Sequence, residues 1–180
     1  WIADGTIAGT AVCPAWYYWT NLPAPGLAGL DNELWFGTAD GRLCRFRQAE
    51  EDDAYCDDDA AIDAYWRTPT LPLGDWGRGK TVRDVIPTLM PHSRSGATVQ
   101  YESEDGKVLA LSRNMDLFSF KTLDFSRFSF RCIPGALSYR TRYRQHRMPL
   151  LAVRIGNDRI GEPFGLLALT IRWTLGQTII

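Results

Sequence analysis

The chain has few of the residues that build a metal or nucleophile centre. It carries two histidines, His92 and His146, and four cysteines, at positions 13, 44, 56 and 132. No two cysteines form a C-x-x-C pair, and a zinc site needs its ligands clustered at short spacings. Neither histidine has a serine or cysteine motif beside it. No apolar run approaches the roughly 20 residues a membrane helix needs, and no basic start followed by an apolar block marks a signal peptide. The chain opens on Trp1 instead of Met, so it reads as a piece or a processed product. Its formal net charge is −1, a balance that suggests neither nucleic acid nor a membrane surface as partner. Sustained helical periodicity is missing too, and one helical turn over Asn114 to Phe118 is the most the pattern allows.

What is present is apolar and aromatic. The 180 residues are 45% hydrophobic, enough to bury a core and too much for disorder. Period-two alternation recurs in the second half. Ala97, Val99 and Tyr101 alternate with polar residues, as do Phe128, Phe130 and Cys132, the odd positions of 137–144, and Leu167, Leu169, Ile171 and Trp173. Each run reads as a strand with one buried and one solvated face, the habit of antiparallel sheets. Ala39-Asp40-Gly41 and Glu104-Asp105-Gly106 are hairpin signals, because Asp and Gly tolerate positive φ. Gly156-Asn157-Asp158 is a third candidate turn. The expected core includes Trp66, Val99, Tyr101, Phe128, Phe130, Tyr139, Val153, Leu169 and Ile171. The Phe-rich stretch from Leu117 to Phe130 is expected to be buried on two faces.

An acidic stretch from Glu50 to Asp59 divides the chain. About eight candidate strands follow it, a count that suits an antiparallel β-sandwich, immunoglobulin-like or jelly-roll. Residues 1–56 are too few in strands to close a barrel. The expected organisation is therefore all-β, with a short segment over 1–56 and a sandwich domain over 57–180.

Several strings stand in a distinctive order. Trp16-Tyr17-Tyr18-Trp19-Thr20-Asn21-Leu22-Pro23 precedes Leu34-Trp35-Phe36-Gly37-Thr38-Ala39-Asp40-Gly41-Arg42-Leu43. Tyr65-Trp66-Arg67-Thr68-Pro69 follows, then Leu123-Asp124-Phe125-Ser126-Arg127-Phe128-Ser129-Phe130 and Pro163-Phe164-Gly165. This ordered set resembles the C-terminal region of a family of tailed-bacteriophage and prophage structural proteins, over most of the chain. The resemblance implies a blade-like hairpin that ends a propeller-like region and a terminal β-sandwich behind it. It also implies a place in the virion, in the tail, its tip or the connector, with other virion proteins as partners. It brings no catalytic residue and no cofactor.

Beside that resemblance, the residues offer candidate contacts. Arg140, Arg142 and Arg144 alternate along one expected strand face, and Asp57, Asp58 and Asp59 form a run of opposite sign. Such segregation steers association, and the two could meet between copies in a homo-oligomer. The aspartates lack the spaced D-x-D-x-D-G pattern of a calcium loop, so a solvated loop is the expectation. Trp76 sits among glycines in Gly74-Asp75-Trp76-Gly77-Arg78-Gly79-Lys80, a loop before a strand without phosphate-loop spacing. Asp116 and Asp124 flank the Phe-rich stretch with no sign of converging as a hydrolytic pair. The leading expectation is a non-enzymatic virion component that holds neighbouring subunits. The alternative is a carbohydrate-binding module for a host glycan, which aromatics gathered on one exposed face would favour.

Overall fold

The computed structural model describes residues 2–178, apart from 5, 6, 9, 10, 13, 14, 21, 23, 49–53, 91, 104–107, 121, 122, 127, 128, 133, 134 and 139; within some strands it describes the backbone alone. The described residues are all β-strand, turn and irregular chain, with no helix. The one helical turn that the pattern allowed, at Asn114 to Phe118, does not form; there Asp116 bridges His92 in parallel. The chain divides into two compact units, Trp1–Ala54 and Tyr55–Ile180.

In the first unit, β1 (Ile2–Asp4) pairs β4 (Ala15–Tyr17), and β2 (Ile7–Ala8) pairs β3 (Ala11–Val12). Ile2 opposes Tyr17 and Ile7 opposes Val12, so one register runs through both ladders. A three-stranded meander follows, of β5 (Gly26–Leu30), β6 (Glu33–Gly37) and β7 (Leu43–Arg45). Asp31 and Asn32 form its first turn, both at positive φ (50° and 64°), which is the two-residue geometry that follows strand twist. The expected Ala39-Asp40-Gly41 turn is present. Gly41 sits at φ 84°, and the Thr38 N–H donates to Arg42 O at 2.9 Å. Phe46 packs its ring against both Trp19 and Phe36, each 5.2 Å away between centroids.

The second unit opens with a hairpin of β8 (Cys56–Asp57) and β9 (Ala60–Ala61). Two sheets then share a buried cluster. The first is ordered β10 (Ala64–Arg67), β16 (Leu151–Asn157), β12 (Gly96–Ser103), β13 (Val108–Asn114), antiparallel throughout and free of register shifts. The strands on either side of the Glu104-Asp105-Gly106 signal thus pair as expected; residues 104–107 themselves lie outside the described ones.

The second sheet is built on β11 (Arg78–Leu89). Along one edge lies β17 (Leu166–Thr178), and along the other lie β14 (Leu137–Ser138) and β15 (Thr141–Met148). Thr88 opposes Ser138 and Val85 opposes Thr141, so β14 and β15 are pieces of one interrupted strand. Arg140, between the two pieces, belongs to neither.

Val82, Val85 and Leu89 of the second sheet meet Val99, Tyr101, Leu151, Val153 and Ile155 of the first, with Met115 and Met148 filling in. Val99, Tyr101 and Val153 are thus core, as expected, and Leu169, Ile171 and Trp173 pack against it partly buried. Trp66 is a correction. It stands opposite Ile155, but β10 is an edge strand with a neighbour on one side only, and the indole is 44% exposed. Phe130 is another, treated below; Phe128 and Tyr139 lie outside the described residues. Leu167 also breaks its expected alternation. A register shift at Thr88/Leu89 inserts it as an extra residue, so Leu166 packs on the core and Leu167 faces solvent.

Gly156-Asn157-Asp158 is not a turn. Gly156 and Asn157 complete β16, and Gly161 supplies the positive φ of 68° further on. The loop is held by a buried polar pair: the Asn157 side-chain amide donates to Glu162 at 3.2 Å. The loop before β11 ends at Gly77, so Lys80 lies within the strand, fully buried, its ammonium donating to the backbone carbonyls of Asp75 and Pro149.

Candidate interaction surfaces

The aspartate run forms a short, solvent-exposed hairpin. Asp57 opposes Ala60, and Asp58 and Asp59 make the turn at φ 49° and 65°. Aspartate is among the few non-glycine residues that accept this region. All three side chains are exposed. Among the described residues, no three His, Cys, Asp or Glu side chains are grouped as a metal ion would require. Cys44, Cys56 and Cys132 form no disulfide. Trp76 is 67% exposed on the loop before β11, where Asp75 accepts the Gly77 N–H at 2.8 Å.

The arginine row is partly committed within the chain. Arg140 makes a two-point ion pair with Asp84, a buried residue, and that carboxylate holds the guanidinium above its ordinary pKa. Arg142 stands opposite Asp84 in β15 and Arg172 opposite it in β17, so one carboxylate sits between two arginine positions across the sheet. The side chains of Arg142 and Arg144 lie outside the described ones. Asp63 is committed as well: it pairs with Arg154 at 2.8 Å.

The Phe-rich stretch between β13 and β14 departs furthest from expectation. Polar contacts pin it. Asp116 accepts the Ser95 N–H at 3.0 Å, and Leu117 donates to the His92 carbonyl at 3.0 Å. Arg94 pairs with Asp124 at 3.2 Å, while Asp124 also accepts the Ser126 N–H. The Phe118 N–H donates to Arg131 O, closing the stretch into a loop. Asp116 and Asp124 are therefore fastenings of this loop. Three phenyl rings are left outside: Phe120, Phe125 and Phe130 are 84%, 88% and 84% exposed. Phe118 and Phe120 meet edge to face at 4.8 Å. The expected two-faced burial fails here because Phe120, Phe125, Phe130 and Cys132 belong to no strand that could turn them inward.

A further surface lies on the side of the first sheet away from the core. Tyr65, Gly156, Thr98 and Ser112 form one row across four strands, and Arg67, Arg154, Gln100 and Ala110 the next. Arg154 donates to Asp63 and to Gln100, and its guanidinium lies 4.1 Å from the centre of the Tyr65 ring. Arg67 donates to Glu102 by two nitrogens, and this bond raises the Arg67 pKa. Sequence reasoning missed this face. The polar half of the alternation at Thr98, Gln100 and Glu102 signals that such a face exists, but nothing local says that β10 and β16 complete it.

No protein-family model, curated protein or solved structure matches the chain.

Proposed function

We propose that the chain is a non-enzymatic structural component of a tailed-phage or prophage particle, in the tail or connector, which works by holding other virion proteins. In this reading Tyr55–Ile180 is a β-sandwich, its two antiparallel sheets enclosing the shared core, and the first unit is a propeller-derived hairpin segment. The observation that carries protein binding is the loop bearing Phe120, Phe125 and Phe130. Three phenyl rings held in water on a pinned loop are unfavourable for an isolated molecule and favourable where a partner covers them. The place in the virion is supported by the ordered strings from Trp16 to Gly165 that resemble phage structural proteins.

The test is incorporation. Particles purified from cells that carry the gene should contain the chain in fixed proportion to the other tail proteins. Replacing Phe120, Phe125 and Phe130 together by serine should leave a folded protein that no longer enters particles. A chain missing from purified particles, or incorporation that survives the triple change, overturns the reading.

A further inference from the structure

The outer face of the β10–β16–β12–β13 sheet has a different chemistry from the phenylalanine loop: one aromatic ring, short side chains and balanced charge. We infer that it is a binding site for an uncharged glycan, with Tyr65 as the stacking platform. Tyr65 is 54% exposed, whereas the Arg154 side chain beneath it is only 24% exposed. The guanidinium is therefore the covered partner, and the other side of the ring is open. Asp63 and Gln100 fix Arg154 in turn, so the ring is held before a ligand arrives and little freedom is lost on binding.

Space and polar groups lie beside the ring. On the two strands beyond Gly156, the side chains of Thr98, Ser112 and Ala110 are short. Thr98 and Ser112 occupy each other through their hydroxyls at 2.9 Å. In the adjoining row, Gln100 uses its oxygen on Arg154, and Glu102 uses Oε2 on Arg67. Among the described residues, neither the Gln100 amide N–H groups nor Glu102 Oε1 have a protein partner. They sit two residues apart on one strand face, about 7 Å along the chain. A donor and an acceptor at that spacing, next to an open ring, suit a pyranose: its C–H face covers the ring while its hydroxyls bond the amide and the carboxylate.

Charge decides the ligand class. Asp63 and Glu102 offset Arg154 and Arg67, so the face has no net attraction for a polyanion. Apolar area is confined to one ring and alanines, which gives a protein partner no buried anchor cluster.

The experiment titrates the isotope-labelled chain with neutral tetrasaccharides of glucose, galactose and N-acetylglucosamine at millimolar concentration, with a uronic-acid oligosaccharide as the charged control. At least one neutral sugar should shift the backbone amides of 63–67, 98–102 and 152–156. Tyr65→Ala and Gln100→Ala should each weaken binding about tenfold or more. Tyr65→Phe should retain it, and so should Trp66→Ala, whose side chain faces the other way. Gln100→Ala leaves the ring in place, so it reads the site even if Tyr65→Ala folds poorly. Binding of the acidic sugar alone, shifts confined to another surface, unchanged affinity in Gln100→Ala, or no binding by any neutral sugar overturns the inference.

Discussion

Arg140 holds Asp84 at two points across the second sheet, with its Nε 2.5 Å from one carboxylate oxygen and its Nη2 2.7 Å from the other. The two are asymmetric: Asp84 is 2% exposed, while half of the Arg140 side chain remains in water. Arginine suits the task because its planar fork matches a carboxylate. Asp84→Ala should therefore cost about 1–3 kcal/mol, as loss of a buried charge-assisted pair does. The denaturation midpoint should fall with an unchanged slope. Stability equal to the parent chain would mean the pair contributes nothing net.

Core and loop aromatics should respond in opposite ways. Tyr101 is fully buried in the core cluster, and Tyr101→Ala should cost about 3–5 kcal/mol. Phe130 lies in solvent, and Phe130→Ala should change stability by about 0.5 kcal/mol or less. Chemical denaturation of the two variants side by side checks this, and a large loss at Phe130 would place that ring inside.

Gly156 is needed for close approach. A Cβ there would lie 2.7 Å from both the Ala64 carbonyl oxygen and the Tyr65 Cβ. Gly156→Ala must push β10 off the sheet, at about 1–3 kcal/mol. Amide exchange should accelerate first in 64–67, while β12 and β13 stay protected.

His92 sets a pH dependence. Its ring is half-buried, 6.4 Å from the Tyr55 ring, and burial pushes its pKa below the usual 6.5. The folded state thus resists protonation that the unfolded chain accepts. The contribution to stability is full above about pH 6.5 and is lost as pH falls toward the folded-state value. Melting temperature should drop on acidification from pH 7 toward pH 5, and His92→Gln should flatten that slope. An equal slope in the variant would assign it to other groups.

The local pattern by itself determined the β character, the Asp40-Gly41 hairpin, the inward face of 97–101 and the burial of Val153. Alternation at period two states which side of a strand is apolar, and a turn dipeptide states where the chain can reverse. What it could not state is which strands are neighbours. Trp66 and Phe130 are no less apolar than Tyr101, yet one sits on an edge strand and the other on a loop pinned by Asp116 and Asp124. Burial depends on having sheet on both sides, and only tertiary pairing supplies it. The same holds for the candidate site. Tyr65, Arg154 and Gln100 are far apart in sequence, and the antiparallel pairing of β10, β16 and β12 places them on one face. Arg140 looked like a free charge in its strand until β11 brought Asp84 beside it, because an ion pair is decided by which charges the fold makes adjacent.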